Sequence, residues 1–250
     1  MGWMKDLLRK GRAIYIRARV GRCETVPMCD CAVVVAPHPD DEVFGCAGLM
    51  SRLKNEGKRV ELIVMTGGGK SHASCCGIDE EELIEKRREL TRMAATIYGL
   101  SEEHIHFLNY PDGDVQFSNE NTKELMHTLT DIEKAMTGKE LAVFFPHSLG
   151  EGWNDHISTS KIVKQLCASI FQKAKQYEYC VWFWFYGCMN IDWKQAKVVK
   201  LSEEEYRKKQ EAIRVYMDAL APCGKPWSGK LPKMFMWAMK WNKELYFERK

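Results

Sequence analysis

A histidine and three consecutive acids stand directly behind an apolar run in Val33-Val34-Val35-Ala36-Pro37-His38-Pro39-Asp40-Asp41-Glu42. Imidazole and carboxylate together are a usual ligand set for zinc or another divalent metal such as Fe2+. His38 and Asp41 are candidate ligands, and Asp40 is a spare carboxylate available as a base. Pro37 and Pro39 fix φ on either side of His38 and remove two backbone donors. The segment is therefore stiff and presents its side chains in a fixed fan. The plainer alternative is a strand-to-helix turn in which Asp40 is an N-cap. A cap requires one acid, but neither the histidine nor the prolines.

A metal held by His38 and Asp41 alone is short of ligands. The second candidate segment is Pro146-His147-Ser148-Leu149-Gly150-Glu151-Gly152-Trp153-Asn154-Asp155-His156. His156 would complete a site of two histidines and one carboxylate, with an open position for water. His147, in the same loop, is the rival third ligand. For either histidine the ordinary alternative is a hydrogen-bonded loop residue without a metal.

Both segments need a scaffold that brings them together. Four apolar residues in a row pack on both faces, which is how an inner strand of a parallel sheet reads. Strand signals at 32–36, 60–65, 104–108, 141–145 and 178–186 alternate with helix signals at 43–55, 79–98, 123–136 and 156–175. This order predicts a three-layer α/β/α sandwich with a mostly parallel, Rossmann-like sheet. Doubly wound topology gathers the C-terminal strand ends on one edge, so the His38 and His156 loops can meet. Gly67-Gly68-Gly69 opens a loop at that same edge. A further helix is predicted over 202–219, and 227–250 reads as an aromatic, basic tail.

Bulk properties set limits on function. Apolar content of 45% and charge of 28% are ordinary for a globular protein. A net charge of +3 is too small to argue for nucleic acid. No stretch approaches the ~20 apolar residues that span a bilayer, and no signal-peptide pattern is visible. The ten cysteines then read as free thiols in a reducing cytoplasm. Cys29 and Cys31 are too close for a zinc-ribbon pair, and Cys75-Cys76 reads as incidental thiols, with a metal-binding or reactive pair as the alternative.

Residues 1–30 stand apart from 31–250, which reads as a single domain. Within 1–22, Lys5, Arg9, Lys10, Arg12, Arg17, Arg19 and Arg22 face only Asp6. Trp3, Met4, Leu7, Leu8, Ile14 and Tyr15 recur at roughly helical spacing. Such a basic amphipathic helix can lie on an anionic membrane surface, peripheral to the inner membrane. The alternative is a solvated helix packed on the domain; Gly11 weakens the helix in either case.

Taken together, the two loops resemble the LmbE-like, or PIG-L, family of zinc-dependent N-acetylglucosaminyl deacetylases. The family motif Ala-His-Pro-Asp-Asp-Glu is matched by Ala36-Pro37-His38-Pro39-Asp40-Asp41-Glu42, with one proline inserted. The later Asp-His motif is matched by Asp155-His156, and Tyr110-Pro111-Asp112-Gly113 resembles a Pro-Asp-Gly turn of the family. Arg87-Arg88-Glu89-Leu90 resembles its Arg-containing helix. The resemblance implies zinc on His38, Asp41 and His156, Asp40 as general base, and Arg87 as a substrate-binding residue. It implies hydrolysis of an N-acetyl amide on an N-acetylglucosamine-type sugar, including a lipid-linked one, by the 31–250 domain. Asp112 would bind sugar hydroxyls and Asp155 would orient a ligand histidine. Many members carry a histidine three residues before the last ligand, where this chain has Trp153. His147 is then the expected helper of the oxyanion, and Trp153 a stacking surface for the sugar. The aromatic residues Tyr177, Tyr179, Trp182, Trp184, Tyr186 and Trp193 read chiefly as core, with a sugar-stacking wall as the alternative. A different amidase on a non-GlcNAc acyl-amide and a non-catalytic sugar-binding protein are the competing functions.

Overall fold

The computed structural model describes residues 2–72, 77–117, 119–149, 151–186 and 191–249. Cys75 and Cys76 lie outside them. Five strands, β1 (Cys31–Ala36), β2 (Arg59–Thr66), β3 (Ile105–Tyr110), β4 (Leu141–Pro146) and β5 (Lys175–Tyr179), pair in parallel. Two more, β6 (Ala196–Lys200) and β7 (Lys243–Arg249), extend the sheet in antiparallel fashion. The order across the sheet is β3-β2-β1-β4-β5-β7-β6.

Helices cover both faces, as the unbroken apolar run of β1 requires. Val34 and Ala36 point into a core shared with α2 (Asp41–Asn55), α3 (Glu80–Ile97) and α7 (Glu203–Asp218). Val33 and Val35 point into a second core with α4 (Asn119–Ala135) and α5 (Asn154–Ser169). The fold is the three-layer, mostly parallel arrangement expected from the alternating pattern. The strand order reverses direction between β1 and β4, and this switch point is where an open α/β sheet forms a crevice. The His38 loop leaves β1 there, and the His156 loop leaves β4.

One local expectation is corrected, and further elements are added. The strand expected over 178–186 stops at Tyr179, and Phe183–Tyr186 forms a short helix, α6. The reason is a buried carboxylate: Glu151 accepts hydrogen bonds from the N–H groups of Val181, Trp182 and Phe183 at 2.9, 2.8 and 3.3 Å. Those donors are withdrawn from the sheet ladder. The segment read as an aromatic, basic tail carries α8 (Lys233–Met239) followed by β7. The sheet also gains β6, a segment without a strand signal of its own.

Two features tie the far edge of the sheet to α2. Glu244 of β7 accepts from the backbone N–H groups of Gly48 and Leu49, each at 2.8 Å. Lys209 of α7 donates to Glu244 and to the Phe44 carbonyl, each at 2.8 Å. This buried pair has its partners satisfied, and it fixes the helix whose first residue is Asp41. The N-terminal helix α1 (Gly2–Arg19) runs through Gly11 and packs Ala13 and Ile16 into the larger core. Among the described residues, no helix is long and apolar enough to cross a membrane.

Candidate metal centre

β1 ends at Ala36, and the two prolines carry the chain to Asp40, whose φ of 108° is left-handed. It is the only non-glycine with positive φ among the described residues. Such a conformation costs on the order of 1–3 kcal/mol and persists where surroundings enforce it. Here they do. Glu42 Oε2 accepts from the Asp40 N–H at 2.9 Å. Arg87 donates to the Pro39 carbonyl at 2.5 Å and to the Gly68 carbonyl at 2.9 Å. Gly68 itself has φ of +66°, and a Cβ there would collide with the Arg87 guanidinium. The Asp40 side chain makes no capping hydrogen bond, so its carboxylate faces the cavity instead of the helix.

The structure brings His38, Asp41 and His156 together. Asp41 Oδ2 lies 3.1 Å from His38 Nδ1 and 3.2 Å from His156 Nε2. Tetrahedral zinc with bonds of about 2.0–2.1 Å spaces its ligand atoms roughly 3.3 Å apart, so these separations fit such an ion. Each histidine turns its other nitrogen to a carboxylate. His156 Nδ1 lies 3.0 Å from Glu151 Oε2, and His38 Nε2 lies 3.0 Å from Asp155 Oδ2 and 3.2 Å from Asp112 Oδ1. That is the usual outer support of a metal-binding imidazole. A second group of convergent atoms, His38 with Asp112 and Asp155, is also present. Asp155 already accepts from the N–H groups of Gly113 and Val115 at 2.7 and 3.2 Å. Asp41 Oδ2 likewise accepts from the His38 backbone N–H at 3.0 Å, so the choice rests on donor type: His38, Asp41 and His156 offer two imidazoles and one carboxylate, the more usual set for zinc.

The charges reflect this crowding. Burial pushes the Asp40 carboxyl up to about 7, with Arg87 opposing and Asp41 adding to the rise. Burial acts the same way on Asp41, but the imidazoles of His156 and His38 outweigh it and hold its carboxyl below the usual range. Burial would lower His156, yet Asp41 and Glu151 raise it to about 9. Burial would also lower His38, and Asp112, Asp155 and Asp41 keep it well above the imidazole range. Asp112 falls to about 2, because His38 overcomes the effect of burial. A cluster that holds protons so firmly on two nitrogens is one a cation could occupy in their place.

A cavity of about 490 Å³ opens over this cluster. His38, Asp40, Asp41, Asp112, Asp155 and His156 form its polar floor. Phe44, Trp153, Val181, Trp182, Leu231 and Phe235 form an apolar wall. Trp153 is 48% exposed and tilts against Trp182 at 5.7 Å between ring centroids.

Other candidate residues sit differently. His147 does not line the cavity. The β4–β5 ladder continues into it, its N–H donating to the Tyr179 carbonyl at 2.9 Å. This register turns its ring toward Phe247 and Phe183, with Nε2 3.8 Å from Glu178. Arg87 lines the cavity, but its guanidinium is occupied by backbone carbonyls and lies 3.5 Å from Asp40. Asp112 faces His38 and also accepts from the Lys70 N–H at 2.7 Å. Tyr177 and Tyr179 are core residues, whereas Trp182 belongs to the cavity wall. Glu151 is fully buried and tied to both His156 and the α6 entry. Nothing in the local sequence marks it except the glycines on either side.

A diacetylchitobiose deacetylase from Thermococcus kodakarensis is 30% identical over 106 residues, 42% of this chain and 37% of that protein. The match therefore spans little more than a third of that relative. The N,N'-diacetylchitobiose deacetylase of Pyrococcus horikoshii, solved with an inhibitor, superposes with a TM-score of 0.61 at 20% identity. It covers 88% of this chain and 80% of its own. GalB, the 4-carboxy-2-hydroxymuconate hydratase of Pseudomonas putida, superposes at 0.57 with 14% identity, covering 88% and 95%. At these identities the structural likeness establishes the fold, which a deacetylase and a hydratase share. Residues 33–167, more than half of the chain and the stretch from β1 through α5, match GlcNAc-PI de-N-acetylase. With both halves of the His38–His156 cluster inside that stretch, the chain belongs to the PIG-L, or LmbE-like, family.

Proposed function

We propose that the protein hydrolyses the N-acetyl amide of an N-acetylglucosamine-type sugar, releasing acetate and the free amine. The observation that carries this reading is the strained, uncapped Asp40 beside a convergent His38–Asp41–His156 set on the cavity floor. Family membership and the deacetylase relative support the same reaction class.

Each role in this reading is supported by a side-chain position in the cavity. His38 Nδ1, Asp41 Oδ2 and His156 Nε2 would hold a divalent metal, with zinc favoured by a set of two imidazoles and one carboxylate. A metal there supplies Lewis acidity toward the amide carbonyl and makes water a better nucleophile at neutral pH. Asp40 takes the proton of the attacking water and returns it to the departing amine. Burial raises its carboxyl above the usual carboxylate range, which suits both transfers. Asp155 and Asp112 hold the His38 ring, and Glu151 holds the His156 ring. Arg87 braces the Asp40 turn and restrains the rise of its pKa. Trp153 and Trp182 offer flat faces to a sugar ring or its apolar aglycone. The apolar side chains that line the cavity with the acidic cluster suit a sugar carried on a lipid-type group.

The test is acetate release by zinc-loaded protein from GlcNAc glycans, sugar nucleotides and glycolipids, with non-sugar acyl-amides alongside. Release from the sugar substrates, lost in His156→Ala together with the metal, is the expected result. Turnover of the non-sugar amides alone, or full activity in His156→Ala, would overturn the assignment.

A further inference from the structure

The helix α1 has two apolar faces, and the domain covers only one of them. At 3.6 residues per turn, Ala13, Ile16 and Val20 share one side, and all three are buried. Arg12 donates to the Phe185 carbonyl at 2.6 Å, and Arg17 donates to the Ala238 carbonyl at 3.0 Å. Arg9 stacks over the Phe185 ring at 3.5 Å. Helix α1 is thus clamped onto α6 and α8. On the opposite side lie Trp3, Met4, Leu7, Leu8, Ile14 and Tyr15. Trp3 is 74% exposed, Leu7 61% and Leu8 67%. Exposed Lys10 and Arg19 border this strip, over the Trp237 ring at 5.7 Å and the Trp193 ring at 5.5 Å, and Tyr15 at its edge meets Trp193 edge-on at 6.3 Å.

We propose that this outer strip docks on an anionic lipid surface. A helix that needed only to pack on the domain would carry polar residues outward. The charge chooses the occupant. Residues 1–22 hold seven basic side chains and one acid. Two copies meeting through the strip would bring like charges together, whereas an anionic bilayer neutralises them. Trp3 and the leucines enter the headgroup boundary, and the bordering cations meet the phosphates. The clamp also gives the docked protein a defined orientation. Trp182, just before α6, and Phe235, within α8, both wall the cavity. The cavity is therefore held beside the membrane-facing helix, through the contacts that α1 makes with α6 and α8.

The experiment is co-sedimentation of the full chain with vesicles of phosphatidylcholine alone or mixed with phosphatidylglycerol, at low and moderate salt. Binding to the anionic vesicles only, weakened by salt, is expected. Leu7→Glu with Leu8→Glu should lower partitioning by at least about tenfold. Lys5→Ser with Lys10→Ser should lower it roughly 25-fold, at about fivefold per basic residue. These side chains are exposed, and unchanged circular dichroism would verify that the variants fold. Equal binding to neutral vesicles, or variants that bind like the parent, would overturn the proposal. So would absence of vesicle binding with a dimer in solution that Leu7→Glu with Leu8→Glu converts to monomer. No turnover enters the measurement, so its outcome is separate from that of the deacetylase reading.

Discussion

Replacing Glu151 by glutamine tests whether one buried carboxylate organises both the metal centre and the chain that walls the cavity. Its Oε1 accepts from the N–H groups of Val181 and Phe183. Its Oε2 accepts from the Trp182 N–H and faces His156 Nδ1 at 3.0 Å. A glutamine must place its NH2 at one of these two positions. At the Oε1 position, two backbone donors lose their acceptor. At the Oε2 position, the Trp182 N–H is left unpaired and His156 Nδ1 must become an acceptor. The proton then moves to Nε2, the atom that points at Asp41, and that nitrogen can no longer ligate. Each hydrogen bond to a charged group contributes about 1.5–3 kcal/mol, so losing two costs about 3–6 kcal/mol. For a chain of this size that lowers the melting temperature by on the order of 10 °C. Losing the support of a ligand histidine weakens metal binding by about 10–100-fold. Differential scanning calorimetry and competition with a chelating dye measure the two effects. A melting point within about 2 °C of the parent, with unchanged metal affinity, would refute the assignment of Glu151.

Asp40→Asn should keep the metal and lose about 10²–10⁴-fold in turnover; activity within a few fold of the parent would exclude Asp40 as the base. The parent's activity should rise with pH as Asp40 ionises, because the carboxylate is the active form; about 7 is the midpoint without metal, and a cation on Asp41 would move it lower, so a flat profile on the acid side of 7 counts against it. In metal-free protein the His156 pKa is raised from 6.5 to about 9 by Asp41. The stability it contributes is complete below 6.5 and is lost as pH rises toward 9. Metal affinity runs the other way, falling about tenfold per pH unit below 9 for this one proton, as calorimetry in buffers of different ionisation enthalpy would show. His147→Ala should leave metal content and kcat within about threefold while lowering the melting temperature, since the ring packs on Phe183 and Phe247. Loss of metal in that variant would make His147 a ligand.

Much of this protein is readable from local signals. The apolar run before His38, the two prolines and the consecutive acids announce a strand that ends in a rigid chemical turn. Both properties are set by neighbours in the chain. Alternating strand and helix patterns imply one sheet edge, and that edge unites His38 with His156 across 117 intervening positions. The start of α7 is similarly legible, because Ser202 and Glu205 form a capping box within one turn.

What tertiary structure alone decided depends on partners far apart in sequence. The direction of the His147 ring follows from the β4–β5 register, which no local pattern of β4 reveals. Glu151 acquires its importance only when Val181–Phe183 and His156 close around it. Arg87 looks like a substrate ligand on its helix, but the loops after β1 and β2 fill its guanidinium with their carbonyls. The strand signal over 178–186 is overridden because Glu151 removes the backbone donors a strand would need. Periodicity records which face of an element is apolar. It does not record which buried carboxylate another part of the chain will deliver, and in this protein that delivery sets the geometry of the site.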